Sequence, residues 1–138
     1  MKRILILLPL ASALLLGATS KQDDKTGLIW QDNEAIRQHS LDYEEAVQYC
    51  KDLTVDGFGD WRVPALKEAY SIVDLSRTRP ALKNGFEIRD DFRYWTATPF
   101  AADPQKQAWI ISIRYGEAEP YNKGRQYHVR CVRDSTKR

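Results

Sequence analysis

The chain has 138 residues, with 21 Lys and Arg against 19 Asp and Glu, and two cysteines. That length supports one compact domain and argues against two. A formal net charge of +2 is too small to imply a general pull on nucleic acid.

Residues 1–20 read MKRILILLPLASALLLGATS. Lys2 and Arg3 precede an apolar stretch from Ile4 to Leu16, and small residues, Ala18 and Ser20, follow it. This is the pattern of a secretory signal peptide, with cleavage expected near Ser20. The apolar stretch falls short of the roughly 20 residues a bilayer span needs. A retained N-terminal anchor is the alternative, and no cysteine follows the stretch to carry a lipid. The expected location is therefore the periplasm or the cell exterior, with no stable membrane span after cleavage. Charge in the remainder is segregated: residues 21–60 hold 10 acids and 4 bases, whereas 114–138 hold 3 and 7. A local basic patch is compatible with that pattern.

KQDDK, within residues 21–26, reads as a flexible polar lead-in to a domain over 27–134. Leu28–Ile29–Trp30 reads as a short strand after Gly27. The clearest helix is DYEEAVQYCKDL: Asp42 is a good N-cap, and Glu45 stands at capping-box spacing. Tyr43, Ala46, Val47, Cys50 and Leu53 recur on one face of it. Gly57 and Gly59 mark a turn, and WRVP is extended before Pro64. A second helix is expected from Ala65 to Asp74, burying Leu66, Ala69, Tyr70 and Val73. Ser76 to Arg93 carries no regular pattern.

YWTATPF then reads as a strand, and AWIISIRY alternates, with Trp109, Ile111, Ile113 and Tyr115 on one side. GEAEPYNKG reads as a hairpin-like connection. RQYHVRCVR closes the chain as a strand, with Tyr127, Val129 and Cys131 on its inner face. Helices in the first half and strands in the second predict an α+β domain, helices packed on an antiparallel sheet. In an exported chain, two inward cysteines suggest one bond, Cys50 to Cys131, stapling the first helix under the last strand. Two free thiols or an intermolecular bridge are the alternatives.

Taken together, GLIWQDN, EEAVQYCKDL, GFGDWRVPALKEAYSIVD, YWTATPF, AWIISIRYG and YHVRCVR resemble the C-terminal domain of the collagen-like adhesin Lcl. The resemblance spans residues 27 to 133 in the family's order. It implies a C-type-lectin-like fold: two helices on a small twisted antiparallel sheet, neighbouring termini, and one disulfide from the first helix to the last strand. It also implies export and, from the adhesin, binding of sulfated polysaccharide. This chain lacks a Gly-X-Y repeat, and Ala65 stands where the family has a capping Thr or Ser.

Little in the sequence points to catalysis. EAEPYN resembles a calcium-lectin sugar triplet only loosely, because Tyr121 intervenes. An oxidase of related fold would need a reactive cysteine pair, and both cysteines here face inward. His39 and His128 have no metal-ligand spacing, and no cofactor is implied. Trp30, Trp61, Trp95 and Trp109 occupy packing positions. At least one of Arg62 and Arg130 is expected to tie loops to the sheet through buried hydrogen bonds, with Asp60 or Glu68 as partners. The remaining binding candidates are Arg114, Tyr115, Tyr121, Lys123, Arg125 and His128. Guanidinium groups pair with sulfate or carboxylate, and tyrosine rings stack on sugars. The expectation is a non-catalytic binder of an anionic carbohydrate or an envelope protein. A protein-interaction subunit is the alternative, and an oxidase a more distant one.

Overall fold

The computed structural model describes residues 19–135, so the expected signal peptide lies almost wholly outside the described residues. Six strands and three helices follow in the order β1 (Ser20–Gln22), β2 (Ile29–Gln31), α1 (Ala35–Gln38), α2 (Tyr43–Asp52), α3 (Leu66–Tyr70), β3 (Arg93–Pro99), β4 (Gln107–Ser112), β5 (Glu117–Asn122) and β6 (Val132–Arg133). The α+β class holds. The single sheet expected from the sequence is instead two antiparallel three-stranded sheets, β1-β2-β6 and β3-β4-β5.

The first residues of the expected flexible lead-in, Lys21 and Gln22, belong to strand β1. Ser20, Lys21 and Gln22 pair with Gln31, Trp30 and Ile29. Asp23 closes the following turn by accepting the Thr26 amide and hydroxyl at 3.0 and 2.7 Å. Strand addition at an edge is made by backbone groups, so the polar side chains of KQDDK carried no sign of it. β5 is the second correction. EAEPYN is a full strand rather than part of an irregular connection, in register with β4 from Gln107↔Asn122 to Ser112↔Glu117.

Local chemistry explains the helices. Asp42 accepts the Glu45 amide at 2.8 Å, while the Glu45 carboxylate accepts the Asp42 amide at 2.9 Å, completing the capping box of α2. Helix α3 has no such N-cap, since the Ala65 side chain carries no oxygen. Glu68 accepts the Ala65 amide at 2.8 Å, and Thr98 of β3 accepts the Leu66 amide at 2.9 Å. A neighbouring strand thus supplies the missing cap. This helix is shorter than expected, and Tyr70 is 44% exposed while Ile72 is buried in its stead.

Strands β3 and β4 bury side chains on both faces of their sheet. Tyr94, opposite Ile111, joins Ile113, Ala69 and Ile72 in one core cluster. Trp95, opposite Ile110, joins Ala108, Ala46 and Cys50 in the other. Cys50 and Cys131 are bonded, with Cα atoms 5.7 Å apart and neither residue exposed. The closing segment is less regular than a long strand. It touches β3 through a parallel bridge, Tyr94↔His128, and α2's entry through Leu41↔Tyr127, before forming β6.

A buried ion pair fixes the long irregular segment. Arg130, 3% exposed, donates to the Asp32 carboxylate at 3.2 Å and to the Gln31 and Ile88 carbonyls at 3.0 and 2.7 Å. Asp32 in turn accepts the Glu87 and Ile88 amides at 2.8 and 2.9 Å. Arg62 instead grips Glu68 with two bonds of 2.8 Å, and Asp60 is taken by Arg133 at 2.6 Å.

Candidate functional site

Strand register builds a cleft on one end of the β3-β4-β5 sheet. Arg93, Ser112 and Glu117 lie side by side across the three strands, and Trp95, Ile110 and Glu119 form the next row. Side chains in such rows share a face. Ser112 and Ile110 therefore form a floor, Arg93 one wall, and Glu117 with Glu119 the other. Asp91, Arg114 and Tyr115 complete a cavity of about 240 Å³.

The end of the cleft is made by the β4–β5 turn. Gly116 adopts φ 79°, and a Cβ there would lie 2.8 Å from Val73, so the turn needs glycine. This tight turn presents Tyr115, which is 43% exposed. Arg79 reaches the Tyr115 hydroxyl through Nε and Nη2 at 3.3 and 3.0 Å. Its backbone has φ 53°, in the left-handed region, and its amide donates to the Arg114 carbonyl at 2.8 Å. Arg79 and Arg114 both stand over the Tyr115 ring, 5.8 and 5.7 Å from its centre. The hydrogen bond from Arg79 holds the Tyr115 hydroxyl below its usual pKa. Arg114 has one loose acidic neighbour, Asp91, at 3.8 Å.

The six sequence candidates do not converge. Arg114 and Tyr115 are in the cleft. Tyr121, Lys123 and Arg125 lie toward the other end of β5, beyond Glu119. There Arg125 covers the Tyr121 ring at 5.0 Å, and Lys123 covers Tyr43 at 4.7 Å while donating to the Pro104 carbonyl at 3.1 Å. His128 is half-buried, stacked on Phe92 at 4.0 Å, with Nδ1 3.0 Å from the Ile36 carbonyl. Packing accounts for its position. Arg79 and Arg93 were missed. Arg79 is 36 residues from Tyr115 in sequence, inside an irregular loop. Arg93 closes the segment that reads as irregular, and the structure makes it the first residue of β3.

Three of the four tryptophans, Trp30, Trp61 and Trp95, are buried, and Trp109 packs edge-on against Phe100 at 5.7 Å. Among the described residues, no three His, Cys, Asp or Glu side chains gather at metal-holding distance. No helix among them is long and apolar enough to cross a membrane.

The model of the Lcl C-terminal domain matches residues 20–133, most of the chain. The chain belongs to the Lcl C-terminal domain family. The match begins at β1 and ends with β6, so it includes every strand and the Cys50–Cys131 bond. For this Lcl C-terminal domain, no curated protein matches significantly.

Proposed function

We propose that this chain is an exported, non-catalytic binding module of C-type-lectin-like architecture that holds an anionic glycan in the β3-β4-β5 cleft. The observation that carries it is Tyr115: an exposed ring at the mouth of a cavity, flanked by the guanidinium groups of Arg79 and Arg114. Such groups pair bidentately with sulfate or carboxylate, and the ring offers a face for a sugar. The architecture is supported by the helix-to-closing-segment disulfide and by β2, which pairs with both the first and last strands. The export reading also favours a cut ahead of Thr19. Removal through Ser20 would delete the Ser20↔Gln31 pair and the hydroxyl bonds from Thr19 and Ser20 to Asp56.

Retention on immobilised heparin tests the proposal. The mature protein should elute with rising salt, since exposed charge contacts are screened. Arg79→Ala and Arg114→Ala should elute earlier, and Lys67→Ala, on exposed α3 surface, should not. Absence of salt-dependent retention overturns it. A second reading, a protein-interaction subunit of an envelope assembly, rests on Leu75, which is 76% exposed beside the same turn. Crosslinking that depends on Leu75 rather than on Arg114 would favour it.

A further inference from the structure

The acidic wall of the cleft gives the anionic-glycan reading a sharper form. Glu117 and Glu119 are two residues apart on the same face of β5, so they rise about 7 Å apart along the strand. Glu119 accepts the Tyr121 hydroxyl at 2.7 Å. Glu117 is exposed and has no polar side-chain partner among the described residues. Across Ser112 stands Arg93, and at the end beside the β4–β5 turn stand Arg114 and the Arg79-bound Tyr115. An occupant with only negative charge would lie against two carboxylates. One with only positive charge would lie against the arginines.

Resting on the proposed glycan-binding role, we infer that the cleft selects a ligand carrying both charges: an acidic glycan with an unsubstituted amino sugar. The ammonium sits between Glu117 and Glu119, and the sulfate or carboxylate meets Arg114 and Tyr115. The size agrees. A cavity of about 240 Å³ is below the roughly 300–1,000 Å³ of drug-sized sites, so it admits one sugar unit rather than a length of chain. Ser112, between the two walls, presents a hydroxyl to that unit's own substituents. N-acetylation of the amine removes the charge that the glutamates recognise, and N-sulfation reverses it.

The test is calorimetric titration of the full mature chain with three oligosaccharides of one length and O-sulfation pattern. Their glucosamine nitrogen is free, acetylated or sulfated. The free amine should bind about tenfold more tightly than either other form, the scale of one charged hydrogen bond. The double variant Glu117→Gln/Glu119→Gln should erase that preference, with thermal unfolding unchanged. If the N-sulfated form binds as well or better and Arg114→Ala still weakens it, the two-charge inference falls while the anionic-glycan reading stands. If none of the three binds, both fall. Glycine, titrated in parallel, separates the sources: glutamate-dependent glycine binding without glycan binding overturns the amino sugar in favour of an amino acid.

Discussion

One face of the β3-β4-β5 sheet has a covered end and an open end. Trp95, Ala108 and Ile110 lie under α2 and the closing segment, in the cluster that holds Cys50 and Cys131. Arg93, Ser112 and Glu117 project from the same face only one row further along and line a cleft. Ile110 belongs to both, 1% exposed yet forming the cleft's floor. The strand period assigns a side chain to a face. Where a helix is tethered decides which part of that face is covered. Here the tether is covalent, and the cleft begins where its reach ends.

Cutting the tether should therefore have the largest effect. The bond joins residues 81 apart, for which loop entropy gives about 4.5 kcal/mol. Cys50→Ser/Cys131→Ser should lower stability to denaturant by roughly that amount, and hydrogen exchange should rise first in α2 and around Trp95. A double variant as stable as the parent would show that packing alone covers that end.

Next comes the buried arginine. Arg130→Ala strands Asp32, 4% exposed, without its cation, and loss of one partner from such a pair costs about 3–5 kcal/mol. The effect should centre on residues 74–92, because Arg130 and Asp32 together hold the Glu87 and Ile88 backbone. Exchange confined to α2 would count against this division of labour between the two clamps.

What the sequence revealed follows the same division. The covered end was legible because each of its parts is local or pairwise. The α2 capping box lies within four residues, the alternation of β4 within six, and only one partner exists for each cysteine. β1 and β5 were not legible, since they are held by backbone pairing under polar side chains. The cap of α3 comes from Thr98, 32 residues away. In the site, Arg114 and Tyr115 stood out beside a turn, whereas Arg79 joins them only through the fold. Lys123 and Arg125 looked equivalent to Arg114 in sequence, but β5 carries them to its opposite end.

A smaller effect separates α3 from both clamps. Arg62's hydrogen bonds hold the Glu68 carboxyl below its usual pKa, against the opposing effect of burial. A carboxyl lowered on folding stabilises the protein above its unfolded pKa. That contribution disappears as pH falls through the folded value. Glu68→Gln should thus cost about 1 kcal/mol near neutral pH, and the deficit should shrink below about pH 4. Thr98→Val, which removes the acceptor for the Leu66 amide, should cost about 1 kcal/mol at every pH. Denaturant melts across pH 3 to 7 distinguish the two, and a deficit of Glu68→Gln that grows with acid would refute the ion-pair account.

The smallest change is expected at the open end, where it matters most. Arg93 is exposed, with no side-chain hydrogen bond or ion pair among the described residues, although its backbone pairs with Ser112 and its carbonyl accepts the His128 amide. Its side chain can be removed without disturbing either backbone contact. Arg93→Ala should then shift stability by no more than about 0.5 kcal/mol, while weakening retention on immobilised heparin alongside Arg114→Ala. A loss of stability comparable to that of Arg130→Ala would mean that the guanidinium supports the fold, and the cleft would lose a wall free to meet a ligand. Stability and retention both unchanged would leave Arg93 outside the site and confine recognition to the Tyr115 end.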